Sequence, residues 1–132
     1  MSGLPEASAA EPNAAQFSAA QFSAAEISAA EAIELAKNGT WVLDVREQDE
    51  WDRGHSPLAH PLPMSAFTER LTEVPTGQRL LVVCLVGGRS LRVAKALRGA
   101  GYDAFNVAGG MVAWAEAGGE LVSEGQDEPR IG

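Results

Sequence analysis

The run from Leu80 to Cys84 constrains the fold of this chain most, because it is apolar on both faces of an extended backbone. Strands without polar alternation are typical of parallel sheets that helices cover on both sides. A second apolar run, Trp41 to Val45, has the same character. Segments typical of short helices alternate with these runs, which predicts an α/β layered domain with a mainly parallel sheet.

The local patterns predict the individual elements. Ser28 and Glu31 have the spacing of a capping box, and Asn38 with Gly39 provides a stop signal for the helix between them. We expect helices over residues 29–37, 47–53, 65–74, 90–98 and 111–117, and strands over 41–45, 80–84 and 104–107. Prolines 57, 61 and 63 predict an extended or irregular path between the second helix and the third.

Charge and complexity divide the chain into three parts. The formal net charge is −8, of which residues 1–36 carry −5 and residues 120–132 carry −3, so the middle is neutral. The N-terminal part is Ala-rich and a five-residue unit recurs over residues 16–30, which indicates a low-complexity, disordered tail over residues 1–21. We therefore expect a domain over residues 22–122 and an acidic C-terminal tail over 123–132.

Composition argues against several classes of protein. The net acidity is unfavourable for a nucleic-acid binder. One Cys and two His argue against a disulfide framework and a structural metal site. No apolar run has the length of a membrane span, and the first 36 residues lack the cations of a targeting segment. These features favour a soluble cytoplasmic protein.

The end of the Leu80–Cys84 run and the residues after it indicate a reactive cysteine. They read Cys84, Leu85, Val86, Gly87, Gly88, Arg89, Ser90. A strand, a Gly-containing loop and a helix start direct successive backbone amides toward one point, and such a field favours a thiolate. Gly87 and Gly88 permit the positive φ of a tight loop, Arg89 adds a cation, and Ser90 is a candidate cap for the helix.

With these residues in order, the chain resembles the single-domain rhodanese family of sulfurtransferases. The resemblance spans about residues 26–119. It rests on five motifs: Leu43–Arg46 (LDVR), Glu50–His55 (EWDRGH), Cys84–Ser90 (CLVGGRS), Gly101–Tyr102 and Gly109–Trp114 (GGMVAW). The chain departs from the family pattern after His55, where Leu58 replaces a turn glycine and His60 with Pro61 interrupts an expected strand.

The resemblance implies a rhodanese-like three-layer fold in which Cys84 carries sulfur as a persulfide. A thiosulfate or persulfide donor would supply the sulfur, and cyanide or a thiol would accept it. Backbone amides from Leu85 to Ser90 would hold the anionic terminal sulfur. The resemblance implies no cofactor and no metal, and a protein donor or acceptor stays open. Neither nucleic acid nor a membrane is expected as a partner.

Two alternatives stay open at this point. One is a persulfide carrier or regulatory module that acts with a protein partner. The other is a cysteine-dependent phosphatase or arsenate reductase, although those loops place five residues between Cys and Arg and this chain has four. We therefore expect negligible hydrolysis of aryl phosphates.

The residues around the loop have more general interpretations. Asp44 ends a predicted strand. One interpretation is functional, in which it accepts hydrogen bonds from loop amides or orients Arg89, and the other is that it supports the fold. Arg46 and Glu50 are predicted to form a local ion pair from their spacing of four. His55 is predicted to make a structural hydrogen bond.

Overall fold

A computed structural model describes residues 25–132. The predicted tail over residues 1–21 and the predicted start of the domain at Phe22 lie outside the described residues. The division of the chain at residues 21 and 122 therefore stays a prediction. No helix among residues 25–132 is long and apolar enough to cross a membrane.

Five strands form one sheet in which every pairing is parallel. In chain order the elements are β1 (Glu26–Ile27), α1 (Ala29–Lys37), β2 (Trp41–Asp44), α2 (Gln48–Arg53), β3 (Ala59–Pro61), β4 (Arg79–Val83), α3 (Gly88–Gly99), β5 (Asp103–Val107) and α4 (Gly110–Glu116). The strand order across the sheet is β1-β5-β4-β2-β3. The predicted α/β architecture with a parallel sheet is confirmed.

Two apolar clusters cover the two faces of the sheet. On one face Leu80 and Val82 of β4 pack with Val93 and Leu97 of α3. On the other face the remaining apolar residues of the sheet pack with α1 and α4, and this cluster includes Ile33, Val83 and Trp114. Leu80 to Val83 are all 0% exposed, so the missing polar alternation in this run reflects burial on both sides.

The two ends of α1 agree with the sequence signals. Ser28 is the N-cap residue, and its side chain accepts a hydrogen bond from the Glu31 amide at 3.1 Å. At the other end, Asn38 Nδ2 donates to the Glu34 carbonyl at 2.9 Å, and Gly39 adopts a φ of 100°. The predicted helix over residues 29–37 has these bounds in the structure.

The predicted helix over residues 65–74 is wrong. Two short 3-10 helices occupy this region, Met64–Ala66 and Leu71–Glu73. Met64, Phe67 and Leu71 pack against the cluster that contains Val93. Tertiary packing of these apolar residues outweighs the modest helix propensity of the segment.

The segment around His60 also differs from expectation. Ala59–Pro61 forms β3, an edge strand that pairs in parallel with β2. A proline is tolerated there because an edge strand leaves one side without a partner for its amides. His60 stacks on Trp41 with ring centroids 4.1 Å apart, which packs β3 further against β2.

A buried ion pair connects the end of β2 to α2. Arg46 and Asp44 are 1% and 0% exposed, and Arg46 donates to both carboxylate oxygens of Asp44 over 2.8–3.2 Å. The same guanidinium donates to the carbonyl of Gly54 at 2.8 Å. The pair thus anchors the far end of α2 to the carboxyl end of the sheet, where the cysteine loop begins.

The C-terminal segment lies against the same helix. His55 and Val122 exchange backbone hydrogen bonds of 2.9 and 2.8 Å, and the Arg130 amide donates to the Arg53 carbonyl at 2.9 Å. The Glu124 carboxylate lies 3.2 Å from Nε2 of His55. Most of these contacts involve backbone atoms, so the side-chain pattern of residues 123–132 does not reveal them.

The buried pair predicts a large effect of a single substitution. Asp44→Ala leaves the Arg46 guanidinium buried without its counter-charge, and we expect the free energy of unfolding to fall by about 3–5 kcal/mol. The control is Asp49→Ala, because Asp49 pairs with Arg53 at 3.5 Å on the exposed side of α2 and should lose less than about 1 kcal/mol. Urea denaturation followed by circular dichroism measures both. Equal losses in the two variants would contradict the proposed contribution of the buried pair.

Candidate active site

The Cys84 side chain lies at the carboxyl end of the central strand, directly after β4. Only 1% of the residue is exposed. Its Sγ accepts a hydrogen bond from the Gly87 amide at 3.1 Å and lies 3.2 Å from the Ser90 hydroxyl. The loop therefore folds back over the sulfur as the sequence predicts.

The N-terminal end of α4 determines which way the loop amides point. The Met111 and Val112 amides donate to the carbonyls of Cys84 and Leu85 at 2.8 and 3.1 Å. In a trans peptide the carbonyl and the next amide point in opposite directions. Binding these carbonyls to α4 therefore turns the Leu85 and Val86 amides away from that helix, and the Val86 amide faces the sulfur.

Two glycines allow this arrangement. Gly87 has a φ of 110°, in the left-handed region that glycine adopts without a steric penalty. A Cβ on Gly110 would lie 2.5 Å from the carbonyl oxygens of both Cys84 and Leu85. The close approach of α4 to the loop therefore depends on the absence of a side chain at position 110.

Opposing effects act on the protonation of the sulfur. Burial raises the pKa of the Cys84 thiol because the thiolate loses hydration. The hydrogen bonds to the sulfur from the Ser90 side chain and from the amides of Ser90, Gly87 and Val86 lower the pKa, and together they prevail. The resulting pKa lies below the ordinary value for a thiol, so the site favours a nucleophilic thiolate.

The Ser90 hydroxyl belongs to a longer chain of polar groups. It lies 2.5 Å from Oδ1 of Asn106, and Nδ2 of Asn106 donates to the Glu26 carboxylate at 2.8 Å. Ser90 and Asn106 are 0% and 1% exposed. A line of hydrogen bonds thus runs from the buried sulfur to β1 at the edge of the sheet.

The Arg89 guanidinium forms an ion pair with Glu50 of α2. Its two terminal nitrogens contact the two carboxylate oxygens at 2.8 and 2.9 Å, a bidentate geometry. The hydrogen bond from Arg89 lowers the pKa of Glu50 to about 2, and that from Glu50 raises the pKa of Arg89. Both groups are therefore charged at neutral pH, and their pairing fixes the base of the loop to α2.

The rim of the site is apolar. Val86 at the loop tip is 63% exposed and Val112 of α4 is 36% exposed. Leu85 directly precedes Val86, is half-buried, and accepts a hydrogen bond from the Val112 amide through its carbonyl. Exposed aliphatic side chains therefore lie on the cysteine loop and on the helix that binds it.

The comparison with known families resolves which class of cysteine loop this is. A family model described as the rhodanese-like domain matches residues 28–117. The chain belongs to the rhodanese-like family.

Several relatives of this rhodanese-like chain have names that refer to sulfur handling. The chain is 33% identical to the "Putative sulfurtransferase YtwF" of Bacillus subtilis (strain 168) over 76% of this chain and 87% of the relative. It is 30% identical to the "Putative sulfur carrier protein YrkF" of the same organism over 55% of this chain and 40% of the relative. A crystal structure of a rhodanese-like domain protein from Staphylococcus aureus matches with a TM-score of 0.66 and 32% identity, over 74% and 98% of the two chains. These likenesses support a role in sulfur transfer.

Two expectations about the rhodanese loop are corrected. Ser90 does not cap α3, because the helix begins at Gly88 with Gly87 as its N-cap and the Ser90 hydroxyl contacts the sulfur. Gly88, as a helical residue, is not among the glycines with positive φ. The predicted contribution of Arg89 to binding substrate stays a prediction, and its side chain binds Glu50.

The predicted Arg46–Glu50 ion pair is also wrong. Arg46 precedes α2, so the spacing rule for helical neighbours does not apply, and its guanidinium pairs with Asp44. Asp44 accordingly supports the fold, the second of its two interpretations, and Glu50 orients Arg89 instead. His55 makes the predicted structural hydrogen bond, since its Nδ1 lies 2.8 Å from the Trp51 carbonyl.

Three residues around the rhodanese site have roles that the sequence reasoning missed. Glu50 pairs with Arg89, Asn106 binds Ser90, and Gly110 admits α4. A signal existed for Asn106, because an amide in an otherwise apolar strand needs a buried partner.

No group of three or more His, Cys, Asp or Glu suited to a metal ion occurs in the described part of the chain.

Gly110 provides a test of how the loop is held. Gly110→Ala should disturb the loop, because its methyl group would collide with the carbonyls of Cys84 and Leu85. We expect at least a tenfold slower alkylation of Cys84 near neutral pH, since misdirected amides no longer stabilise the thiolate. Gly118→Ala is the control, because Gly118 follows the same helix at a φ of 86° with nothing within 4 Å of the added Cβ. Both variants should lose about 1 kcal/mol to backbone strain, and equal alkylation rates would contradict the assigned role.

The Glu50–Arg89 pair predicts a pH dependence of stability. Because the folded pKa of Glu50 is lowered from 4.5 to about 2, the pair stabilises the fold above 4.5 and this contribution is lost as the pH falls toward 2. Glu50→Gln should cost about 1–3 kcal/mol at neutral pH, and its difference from the native protein should shrink across that window. Denaturant unfolding at several pH values measures this. With Asp49→Asn as the control, a pH-independent difference for Glu50→Gln would contradict the assignment.

Proposed function

We propose that this protein is a sulfurtransferase that moves a sulfane sulfur through a persulfide on Cys84. The observation that carries the proposal is the buried Sγ, which a hydroxyl and three loop amides surround with hydrogen-bond donors. Such a site stabilises negative charge on sulfur, which both halves of a double displacement require.

The proposed reaction has two balanced steps. The Cys84 thiolate attacks the outer sulfur of thiosulfate or a persulfide, the new S–S bond forms, and the rest of the donor leaves with its electron pair as sulfite or a thiolate. An acceptor such as cyanide or a thiolate then attacks the outer sulfur. The bond to Cys84 breaks, and its electron pair returns to Sγ as a thiolate.

The loop residues have separate roles in this scheme. The amides between Leu85 and Ser90 would hold the outer sulfur while it carries negative charge. Arg89 contributes through its positive charge at the base of the loop, where Glu50 fixes it. Cys84 supplies the nucleophile, and no step requires a cofactor or a metal.

The apolar rim favours donors and acceptors with an organic or protein component. Val86 and Val112 present aliphatic surface next to the loop, and these side chains offer no charge complementarity to a dianion such as thiosulfate. A persulfide on an organic molecule or on a protein can bury apolar atoms against the same surface. We propose that such persulfides are better sulfur donors than thiosulfate. We also propose that the protein acts in the cytoplasm.

A persulfide carrier that acts with a protein partner is the second candidate. The exposed tip residue Val86 favours it, because a protein partner that packs on this side chain contacts the cysteine loop itself and buries apolar surface there. The relative named as a sulfur carrier also supports it. A carrier would retain sulfur on Cys84 but turn over small acceptors poorly.

A Cys84→Ser substitution tests the proposal. With a persulfide or thiosulfate as donor and cyanide as acceptor, the native protein should form thiocyanate, and intact mass should show one added sulfur that reductant removes. Cys84→Ser should lose at least about a hundredfold in turnover with the fold intact, because a serine hydroxyl is a weak nucleophile at this site.

Other outcomes distinguish the alternatives. Sulfur loading without turnover would favour the carrier. Turnover that Cys84→Ser retains would overturn the assignment of the nucleophile. Hydrolysis of an aryl phosphate that Cys84→Ser abolishes would favour a phosphatase and contradict the argument from the four-residue loop.

A further inference from the structure

The buried amide of Asn106 has no part in the proposed reaction, although it is one contact away from the reactive sulfur. Its Oδ1 lies 2.5 Å from the Ser90 hydroxyl, and that hydroxyl lies 3.2 Å from Cys84 Sγ. Its Nδ2 donates to the Glu26 carboxylate at 2.8 Å. A polar side chain that is 1% exposed at this position requires a physical account.

Glu26 fixes which way the amide faces. An ionised carboxylate accepts hydrogen bonds and cannot donate them, so the nitrogen of Asn106 must face Glu26. The amide oxygen therefore faces Ser90. Since that oxygen carries no hydrogen, the hydrogen in the short contact belongs to the Ser90 hydroxyl.

The Ser90 hydroxyl thus has one hydrogen and two acceptors. When Cys84 is a neutral thiol, its S–H can donate to Ser90 while Ser90 donates to Asn106, and every group is satisfied. When Cys84 is a thiolate, the hydroxyl can stabilise the sulfur only by turning away from Asn106. The buried Oδ1 then loses its donor, which has an energetic cost.

We infer that Asn106, held by Glu26, is a positioning residue that controls the charge on Cys84 by competing with the sulfur for the Ser90 hydrogen. This inference rests on the proposed function and deepens it. In a Cys84 persulfide the inner sulfur is neutral, so Ser90 donates to Asn106. As an acceptor removes the outer sulfur, the electron pair returns to Sγ and the hydroxyl turns toward it.

The competition between Asn106 and the sulfur affects the nucleophilicity of the Cys84 thiolate. A thiolate becomes less nucleophilic as its pKa falls, and the best attacking thiol has a pKa near the ambient pH. Several amides already stabilise the thiolate of Cys84. Because the Asn106 oxygen draws the Ser90 hydrogen away from Cys84, the sulfur stays basic enough to attack a sulfur donor.

Alkylation of Cys84 by iodoacetamide tests the inference without any sulfur transfer. The chain has one cysteine, so intact mass reports this residue directly. The rate is measured against pH for the native protein, Asn106→Leu, Ser90→Ala and the double variant, with circular dichroism as the check on folding. Asn106→Leu keeps the side-chain size and removes the competing acceptor.

We expect the midpoint of the Asn106→Leu profile to move to lower pH, with roughly three- to tenfold faster alkylation on its acidic limb. Ser90→Ala should move the midpoint to higher pH, because the thiolate loses a donor. In the Ser90→Ala background, Asn106→Leu should have no further effect, since the competition needs the hydroxyl.

An upward shift in Asn106→Leu, an unchanged midpoint, or the same shift with and without Ser90 would each overturn the inference. The Asn106 side chain lies next to Gly87, since a Cβ added there would be 3.7 Å from Nδ2. If leucine in this position prevents folding, Asn106→Ala removes the same acceptor without added volume and is judged by the same criteria. The thiocyanate assay on the native protein is scored separately, so a failure of the proposed function is distinguishable from a failure of this inference.

Discussion

The buried ion pair between Asp44 and Arg46 is the interaction on which the active edge depends. It joins the end of β2 to the last turn of α2 through the Gly54 carbonyl. The position of α2 in turn brings Glu50 to the side chain of Arg89. Two ion pairs, Asp44–Arg46 and Glu50–Arg89, therefore hold the base of the cysteine loop in place through α2. The sulfur is not a member of either pair.

A second constraint operates through the backbone. The cysteine loop presents amides to the sulfur because α4 binds the carbonyls that would otherwise point there. Each peptide in the loop has a carbonyl and an amide that point in opposite directions. A hydrogen bond to the carbonyl on one side therefore directs the amide to the other side. The sulfur site is thus formed by the loop after β4 and by the start of α4, and the two approach each other closely at Gly110.

The sequence allowed prediction of the features that depend on neighbouring residues. The apolar run of β4 and the glycines after Cys84 indicate a buried strand, a loop and a helix, and the structure has all three. Contacts between distant residues were not predictable in this way. Glu50 and Arg89 are 39 positions apart and Ser90 and Asn106 are 16 apart, and no periodic pattern connects them. The spacing of Arg46 and Glu50 was misleading because the first of them lies outside the helix.

The depth of Cys84 has a consequence for the regiochemistry of the proposed persulfide. A nucleophile can attack either sulfur of a persulfide: attack on the outer atom transfers it, whereas attack on the inner atom expels hydrosulfide and traps the protein as a mixed disulfide. Only 1% of Cys84 is exposed, so its Sγ is far less accessible to an acceptor than an outer sulfur that extends from it. Burial of Cys84 therefore favours attack on the outer sulfur, the atom whose removal completes the transfer.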